Sequence, residues 1–434
     1  MIGIYKSGDA DARRIIAKQY PDQEEYETRV KEILAEVRQR GDAAVLEFTA
    51  RFDGAILTEG TMRVTSEELD EAYRLVDEDF LAALRLAKQK IITFHAKQLN
   101  KSWIDTDEQG NILGQMLRPL ARVGVYVPGG TACYPSSVLM NVLPATVAGV
   151  PEIVMVAPPT AEGTINPHTL VAAAEAGATE IYKIGGAQAV GALAFGTDTI
   201  KKVDLITGPG NIYVTLAKKQ VYGQVNIDML AGPSEILIIA DETADPTYVA
   251  ADLLSQAEHD VLAAAILITP VKDLAKKVQA EVNRQLSYLP RKEIITASLR
   301  DYSGIILTSD LEEAIDLANS YAPEHLELMV AEPFAKLGKV TNAGAIFLGS
   351  FSPEPLGDYM AGPNHILPTG GTARFYSPLN VDTFMKKSSL IYYTDQGLQK
   401  VGKEVVKLAQ TEGLAAHANS VLVRLGKSGK EVNQ

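Results

Sequence analysis

Residues 122–158 read RVGVYVPGGTACYPSSVLMNVLPATVAGVPEIVMVAP. Val123–Val127 and Ile153–Ala157 are short, β-rich apolar runs, and the helix-like segment between them includes Ala145–Gly149. Strand, helix, strand in that order predicts parallel pairing and a βαβ unit. The alternation continues through the strands Ile181–Ile184 and Leu205–Thr207, with helices around Leu170–Ala176 and Ile212–Val221. A second set of strands is expected at Ile236–Ala240, Ala264–Thr269, Gly304–Leu307, Leu326–Val330 and Ala345–Leu348. Two similar α/β halves follow from this, without a fixed-period repeat.

Upstream, Asp22 to Leu99 reads as helical. Val30, Ile33, Leu34 and Val37 share one helix face, Gly41 can end that helix, and a second periodic segment runs from about Glu67 to His95. Downstream, Gly349 to Pro378 is a Gly- and Pro-rich stretch expected to be a loop. It carries Asp358 and His365, which favours a functional loop over a disordered one. A helical segment begins near Gln396 and a polar tail follows Gly426.

At 434 residues the chain is too long for one ordinary core. Its 46% hydrophobic and 22% charged residues are the balance of a soluble globular protein. The net charge of −13, with no Lys/Arg run, speaks against a nucleic-acid binder and is compatible with a cationic substrate. Cys133 is the only cysteine, so an intrachain disulfide and a Cys-rich zinc site are both excluded. The N-terminal stretch turns charged too early for a signal peptide. Apolar runs such as Val261–Ile268 are far short of a membrane span, and the expected location is the cytoplasm.

Four of the six histidines stand near an acid or an amide in distinctive settings; His95 and His168 read as structural or surface residues. In SQAEHD, a helix capped by Asp245 and Pro246 carries Gln256 and His259 three residues apart. Such a pair can ligate a metal, but glutamine is an uncommon zinc ligand and, read alone, a solvated helix end is the better account. In YAPEHLE, Pro323 disfavours helix at Ala322, and Glu324 beside His325 could form a proton-transfer pair or a plain surface turn. In GDYMAGPNHILPTGG, Asp358 and His365 suit a metal or a substrate group. In TEGLAAHANS, Glu412 and His417 are five apart, about 140° around a single helix. They need a bend to face one site, or else belong to an ordinary amphipathic helix.

The G-x-G-x-x-G dinucleotide fingerprint is absent. Instead, glycine-bearing strand ends occur at Val127–Gly130, Ile184–Gly196 and Thr207–Asn211, where the backbone can approach a phosphate. A fourth such turn, Ala231–Leu237, offers Ser234 as a hydrogen-bonding group for a substrate.

Taken in order, VGVYVPGGTACYPSSVLMNVLPA, GGAQAVGALAFGT, VDLITGPGN, IDMLAGPSEILIIAD, LLSQAEHD, YAPEHLEL, GAIFLG and GDYMAGPNHILPT resemble the histidinol dehydrogenase family from Arg122 to Thr369, with Glu412 and His417 near the end. The resemblance implies oxidation of L-histidinol to L-histidine through L-histidinal, in two NAD-dependent steps that close histidine biosynthesis. It implies one zinc ion per subunit on Gln256, His259, Asp358 and His417, the last from the second subunit of a homodimer. Substrate contacts would include those ligands together with Ser234, His325, His365 and Glu412, with Glu412 also crossing the interface. Glu324 and His325 would be catalytic, and Tyr126, Gln188 and Asn211 would contact NAD. The implied fold is α/β, two incomplete Rossmann-like domains with parallel sheets plus small N-terminal helical and C-terminal pieces. Its expected divisions are an arm at 1–21, a discontinuous domain of 22–125 plus 236–379, an inserted NAD-binding domain at 126–235, and a dimer-crossing segment at 380–434.

Zinc would orient the substrate while NAD takes the hydride. His325 would accept the hydroxyl proton, and Glu324 would activate the water that hydrates the aldehyde. Glu412 would pair with the substrate ammonium. Cys133 lies beside the PGG turn, where an aldehyde-oxidising thiol could sit, but no His or Lys motif adjoins it and it is expected to be dispensable. Three other readings compete. A sulfonated-diol dehydrogenase of the same fold would leave Glu412 and His417 without purpose. A zinc hydrolase using Glu324 would leave the glycine turns without purpose. A non-catalytic metabolite binder should have lost some of these residues.

Overall fold

The computed structural model of the chain describes residues 2–18, 23–129 and 133–426. Gly130 of the expected glycine turn, the end of the N-terminal arm and the tail beyond Gly426 fall outside the described residues. Backbone contacts divide the chain into one unit of Met1–Leu99 with Leu120–Phe384, and a second of Asn100–Pro119 with Met385–Gln434.

The first unit is built on two parallel sheets, as the alternating pattern requires. One is six-stranded, in the order Ile4–Lys6, Gly304–Leu307, Ala264–Thr269, Glu235–Ala240, His325–Met329 and Ala345–Leu348. Its central strands, EILIIA and AAILIT, are buried along their whole length. Continuous aliphatic runs of this kind suit a sheet covered on both faces. Ile236, Ile238, Ala265 and Leu267 face one core, while Leu237, Ile239, Ile266 and Ile268 face the other. The N-terminal arm contributes the edge strand Ile4–Lys6, paired with Ile305–Leu307, which the sequence alone did not suggest.

The other sheet is five-stranded, in the order Glu180–Tyr182, Glu152–Val156, Arg122–Tyr126, Leu205–Thr207 and Asn226–Ile227. The N-terminal helical layer exists, and part of it packs over this sheet's helices. Val30, Leu34 and Val37 of the helix Glu24–Arg40 share a core with Val190 and Leu193 of the helix Gly186–Phe195. That crossing is close: a Cβ on Gly191 would sit 3.1 Å from both Leu34 and Val37. The periodic segment from Glu67 to His95 is two helices, Ser66–Leu75 and Glu78–Ala96. The second starts where the Asp77 carboxylate accepts the Phe80 N–H at 2.7 Å.

The second unit is an antiparallel sheet of Met385–Tyr392, Ile112–Pro119 and Trp103–Thr106, with the helices Asp395–Thr411 and Ala415–Leu422. Gly413, at φ +74°, makes the bend between these helices that Glu412 and His417 require to face one way. Both of those side chains are exposed.

Ile238 is fully buried at the centre of the six-stranded sheet. Ile238→Ala is expected to lower unfolding stability by about 2–5 kcal/mol, read from the shift of the denaturation midpoint. A loss under about 1 kcal/mol would contradict the packing described.

Candidate active site

Parallel pairing between Glu235–Ala240 and His325–Met329 begins with Ile236 opposite His325. Glu235 therefore stands one residue ahead of the ladder, and its peptide binds side chains instead. Its N–H donates to Glu324 Oε2 at 2.8 Å, and its carbonyl accepts from His325 Nδ1 at 2.9 Å. A carbonyl cannot donate, so Nδ1 carries the imidazole proton and Nε2 is left as the basic nitrogen. His325 Nε2 is buried, lacks a hydrogen-bond partner, and lies 3.9 Å from Glu354 Oε1. Burial lowers the His325 pKa to about 4 against the opposing pull of Asp358, so the ring is neutral near pH 7 and can take a proton. Burial also pushes Glu324 well above the usual carboxylate range, and the carboxylates of Glu235, Asp358 and Glu354 add to the effect.

The chain reaches this acid–imidazole pair through a strained turn. The helix Leu311–Tyr321 ends at Ala322, which takes a left-handed conformation (φ +51°, ψ +67°). Pro323 then blocks a return to helix, and Glu324 and His325 enter the strand buried.

The opposite wall comes from the Gly- and Pro-rich stretch, which is not loop throughout. Glu354–Tyr359 is a short helix that carries Glu354 and Asp358 four residues apart on one face. His325, Glu354 and Asp358 each offer a ligand atom within 4.8 Å of the others, as a cation site requires. His365 Nδ1 lies 3.5 Å from Asp358 Oδ1. Burial opposes ionisation of Asp358, but the His365 imidazole outweighs it and brings the carboxyl to about 2. Glu354 moves the other way, raised to about 9 by burial and by the neighbouring Asp358. A cavity of about 500 Å³ opens here, lined among others by His325, Phe347, Asp358, Asn364 and His365.

Gln256 occupies the last turn of the helix Pro246–Ala257, whose Asp245 cap and leading proline are as expected. Its side chain is fully buried, and neither amide atom has a hydrogen-bond partner. His259 lies just beyond the helix end with an exposed side chain, and its pKa is lowered because the surrounding protein disfavours the cation more than Asp358 favours it. Buried polar atoms without partners cost about 1–3 kcal/mol each unless a ligand satisfies them. The bare Gln256 amide, His325 Nε2 and Glu354 Oε1 are such atoms. A donor set of imidazole, carboxylate and amide oxygen fits a divalent cation such as zinc.

A family model described as histidinol dehydrogenase matches residues 16–425. The chain is 60% identical over 427 residues to the histidinol dehydrogenase of Heliobacterium mobile, covering 98% of this chain and 100% of that one. With the Clostridium acetobutylicum histidinol dehydrogenase it shares 53% over 428 residues, 98% of this chain and 99% of the other. The chain belongs to the histidinol dehydrogenase family. It is an oxidoreductase by that membership. The crystal structure of histidinol dehydrogenase from Elizabethkingia anophelis superposes with a TM-score of 0.92 at 40% identity, covering 100% of this chain and 99% of that one. That likeness agrees with the α/β fold of parallel sheets.

Among the residues singled out from sequence, His325, Asp358 and His365 line the cavity, Glu324 lies 3.6 Å from His325 Nδ1, and Asp358 also acts on His259. Ser234 is half-buried just ahead of the strand Glu235–Ala240. Tyr126 is buried at the end of its strand, with its hydroxyl accepting the Gly186 N–H at 3.1 Å and its pKa pushed up to about 12 by burial. Gln188, in the following helix, is buried with both amide atoms unpartnered. Asn211 is exposed and caps the helix Ile212–Val221 through the N–H groups of Tyr213 and Val214. Gly208 lies between them at φ +112°, and a Cβ there would strike the Tyr126 carbonyl oxygen. Glu412 and His417 belong to the second unit. Glu354 was not singled out from sequence, although its spacing to Asp358 in EPLGD was a usable signal.

The raised pKa of Glu354 means the folded chain holds that proton more tightly than the unfolded chain does. Raising the pH then charges a buried group that was already ionised in the unfolded state. Stability of the cation-free protein should fall as pH rises from about 6.5 to 9. This window lies above the opposite effect of His325, which falls between 6.5 and about 4. Glu354→Gln should flatten the decline, measured as urea midpoints across the window; an unchanged slope would contradict the assignment.

Proposed function

We propose that the chain oxidises L-histidinol to L-histidine through L-histidinal, using two NAD and one zinc ion per subunit, as the last reaction of histidine biosynthesis. The observation that carries this reading is a neutral imidazole with a bare Nε2, fixed by one peptide beside the carboxylate of Glu324. Gln256, His259, Asp358 and the partner subunit's His417 would hold the zinc, which when bound orients and polarises the substrate. NAD, contacted by Tyr126, Gln188 and Asn211, supplies the hydride acceptor.

His325 Nε2 accepts the hydroxyl proton in the first oxidation. Glu324, a stronger base for being buried, takes a proton from the water that adds to the aldehyde. His325 then accepts a hydroxyl proton from the hydrate in the second oxidation. His365 and Ser234 hydrogen-bond the substrate. The partner subunit's Glu412 pairs with the substrate ammonium, which separates an amino alcohol from a sulfonated diol. A homodimer is supported by apolar side chains that the second unit leaves exposed, among them Trp103, Ile104, Ile391 and Leu408. No helix of the described residues is long and apolar enough to cross a membrane, consistent with the cytoplasmic location we propose.

The test is the number of NADH formed per L-histidinol consumed. Two are expected, abolished by a chelator and restored by zinc. No NADH from histidinol with zinc present, together with turnover of a sulfonated diol, would overturn the assignment. Glu324→Gln should slow histidinal oxidation by about 10²–10⁴-fold. Cys133, which is exposed, should be replaceable by serine with both oxidations intact; loss of the second alone would point to a thiol adduct.

A further inference from the structure

Behind the acid–imidazole pair, on the far side of the Glu235 side chain, stands a cation that the proposed reaction does not use. The Lys18 side chain is 8% exposed and its ammonium lies 2.6 Å from Glu235 Oε2. It sits over the Tyr321 ring, 3.6 Å from the centroid, and donates to the Ala322 carbonyl at 3.4 Å. The other carboxylate oxygen of Glu235 accepts the Gly370 N–H at 3.1 Å. Lys18 (φ +48°) and Ala322 (φ +51°) are the non-glycine residues with positive φ among the described residues, and this hydrogen bond joins them. Non-glycine residues in that region cost about 1–3 kcal/mol each and persist where the surroundings over-determine them.

These contacts converge on one peptide. Lys18 grips the Glu235 carboxylate, the ring of Tyr321 and the carbonyl of Ala322, and so fixes both ends of the turn that delivers Glu324. The Glu235 peptide then presents its N–H to Glu324 and its carbonyl to His325. We infer that Lys18 is a positioning residue for the active site, acting through Glu235 to set the geometry of Glu324 and, less directly, of His325. The inference rests on the proposed roles of Glu324 and His325. Glu324 is reached in two ways, by the Glu235 N–H and by the Lys18 charge itself, whereas His325 is reached only through a carbonyl. Histidinal oxidation, which needs Glu324, should therefore suffer more than histidinol oxidation.

The experiment compares Lys18→Met with the unaltered, zinc-loaded full chain. Histidinol oxidation is followed in a single turnover, and histidinal oxidation with histidinal supplied directly. Loss of folded protein scales both rates alike, so the ratio of the two separates positioning from stability. The expected result is a fall of about tenfold or more in histidinal oxidation, a smaller fall in histidinol oxidation, and KM values within about threefold of the original. Unchanged rates, or an equal fall in both, would overturn the inference. Removing the cation takes the ammonium at 2.6 Å away from the buried Glu235 carboxylate. If Lys18→Met does not fold, the double variant Lys18→Met/Glu235→Gln, which removes the Glu235 charge together with its cation, is held to the same two outcomes. Glu324→Gln is measured alongside. If it leaves histidinal oxidation intact, the role of Glu324 fails; if it abolishes that step while Lys18→Met spares it, only the role of Lys18 fails.

Discussion

The peptide of Glu235 is the fixed point on which the candidate active site depends. A backbone N–H and C=O inside a sheet are normally consumed by the neighbouring strand. At Glu235 the ladder toward His325–Met329 has not yet begun, so both groups are free for side chains and take Glu324 and His325. On its other side the same residue is already held, because Ala264 pairs with it in the parallel register. The two reactive groups thus inherit the rigidity of a buried central strand. A loop carrying the same residues would have to order them anew, at about 1–2 kcal/mol of backbone entropy per residue.

That arrangement places the site at the amino-terminal edge of the six-stranded sheet, contrary to the usual position at the carboxyl ends of parallel strands. The glycine turns follow the usual rule on the five-stranded sheet, after the strands Arg122–Tyr126, Glu180–Tyr182 and Leu205–Thr207. The connection between the sheets reconciles the two. Only residues 228–234 separate the strand Asn226–Ile227 from the strand Glu235–Ala240. Seven residues reach about 25 Å at full extension. The carboxyl edge of one sheet must therefore lie near the amino edge of the other. A nucleotide held at the first and a substrate at the second would be brought together by chain length, without any special interface. The turn at Gly208 is itself braced by the buried pair of Lys218 and Asp228, which take its carbonyl and its N–H.

Much of this was legible in the sequence, and the exceptions share a cause. Strands such as Glu235–Ala240 and Ala264–Thr269 fall where the apolar runs put them, because in a sheet buried on both faces composition alone marks a strand. Ile4–Lys6 escaped because three residues at a sheet edge carry no pattern of their own; the strand exists only through pairing with Ile305–Leu307. Trp103–Thr106 escaped because it is exposed along its length. The helix Glu354–Tyr359 was hidden by the prolines and glycines around it. In the site, the motif residues Glu324, His325, Asp358 and His365 could be picked out by type and neighbour. Glu354 offered only its spacing to Asp358 and Lys18 offered nothing, since a Glu before proline and a lone Lys near the N-terminus read as surface residues until the fold buries them.

Asp252, Glu324, Glu327 and Glu354 are all buried, and each is pushed above the ordinary carboxylate range chiefly by burial. Where this protein buries charge for structure, it supplies the counter-charge, as when Arg122 pairs with both Glu152 and Glu180 and holds Glu180 down at about 2. Among the described residues no such guanidinium faces Glu354, whose Oε1 lacks a partner although Ser255 reaches its other oxygen. Crowded carboxylates beside bare imidazole and amide atoms raise the energy of the fold, a cost that a bound cation with its ligand would relieve and packing does not. Despite that crowding His325 stays neutral, because desolvation outweighs the nearby Asp358 charge. A cation that screens Asp358 would lower the imidazole pKa further and hold His325 in the form that accepts a proton.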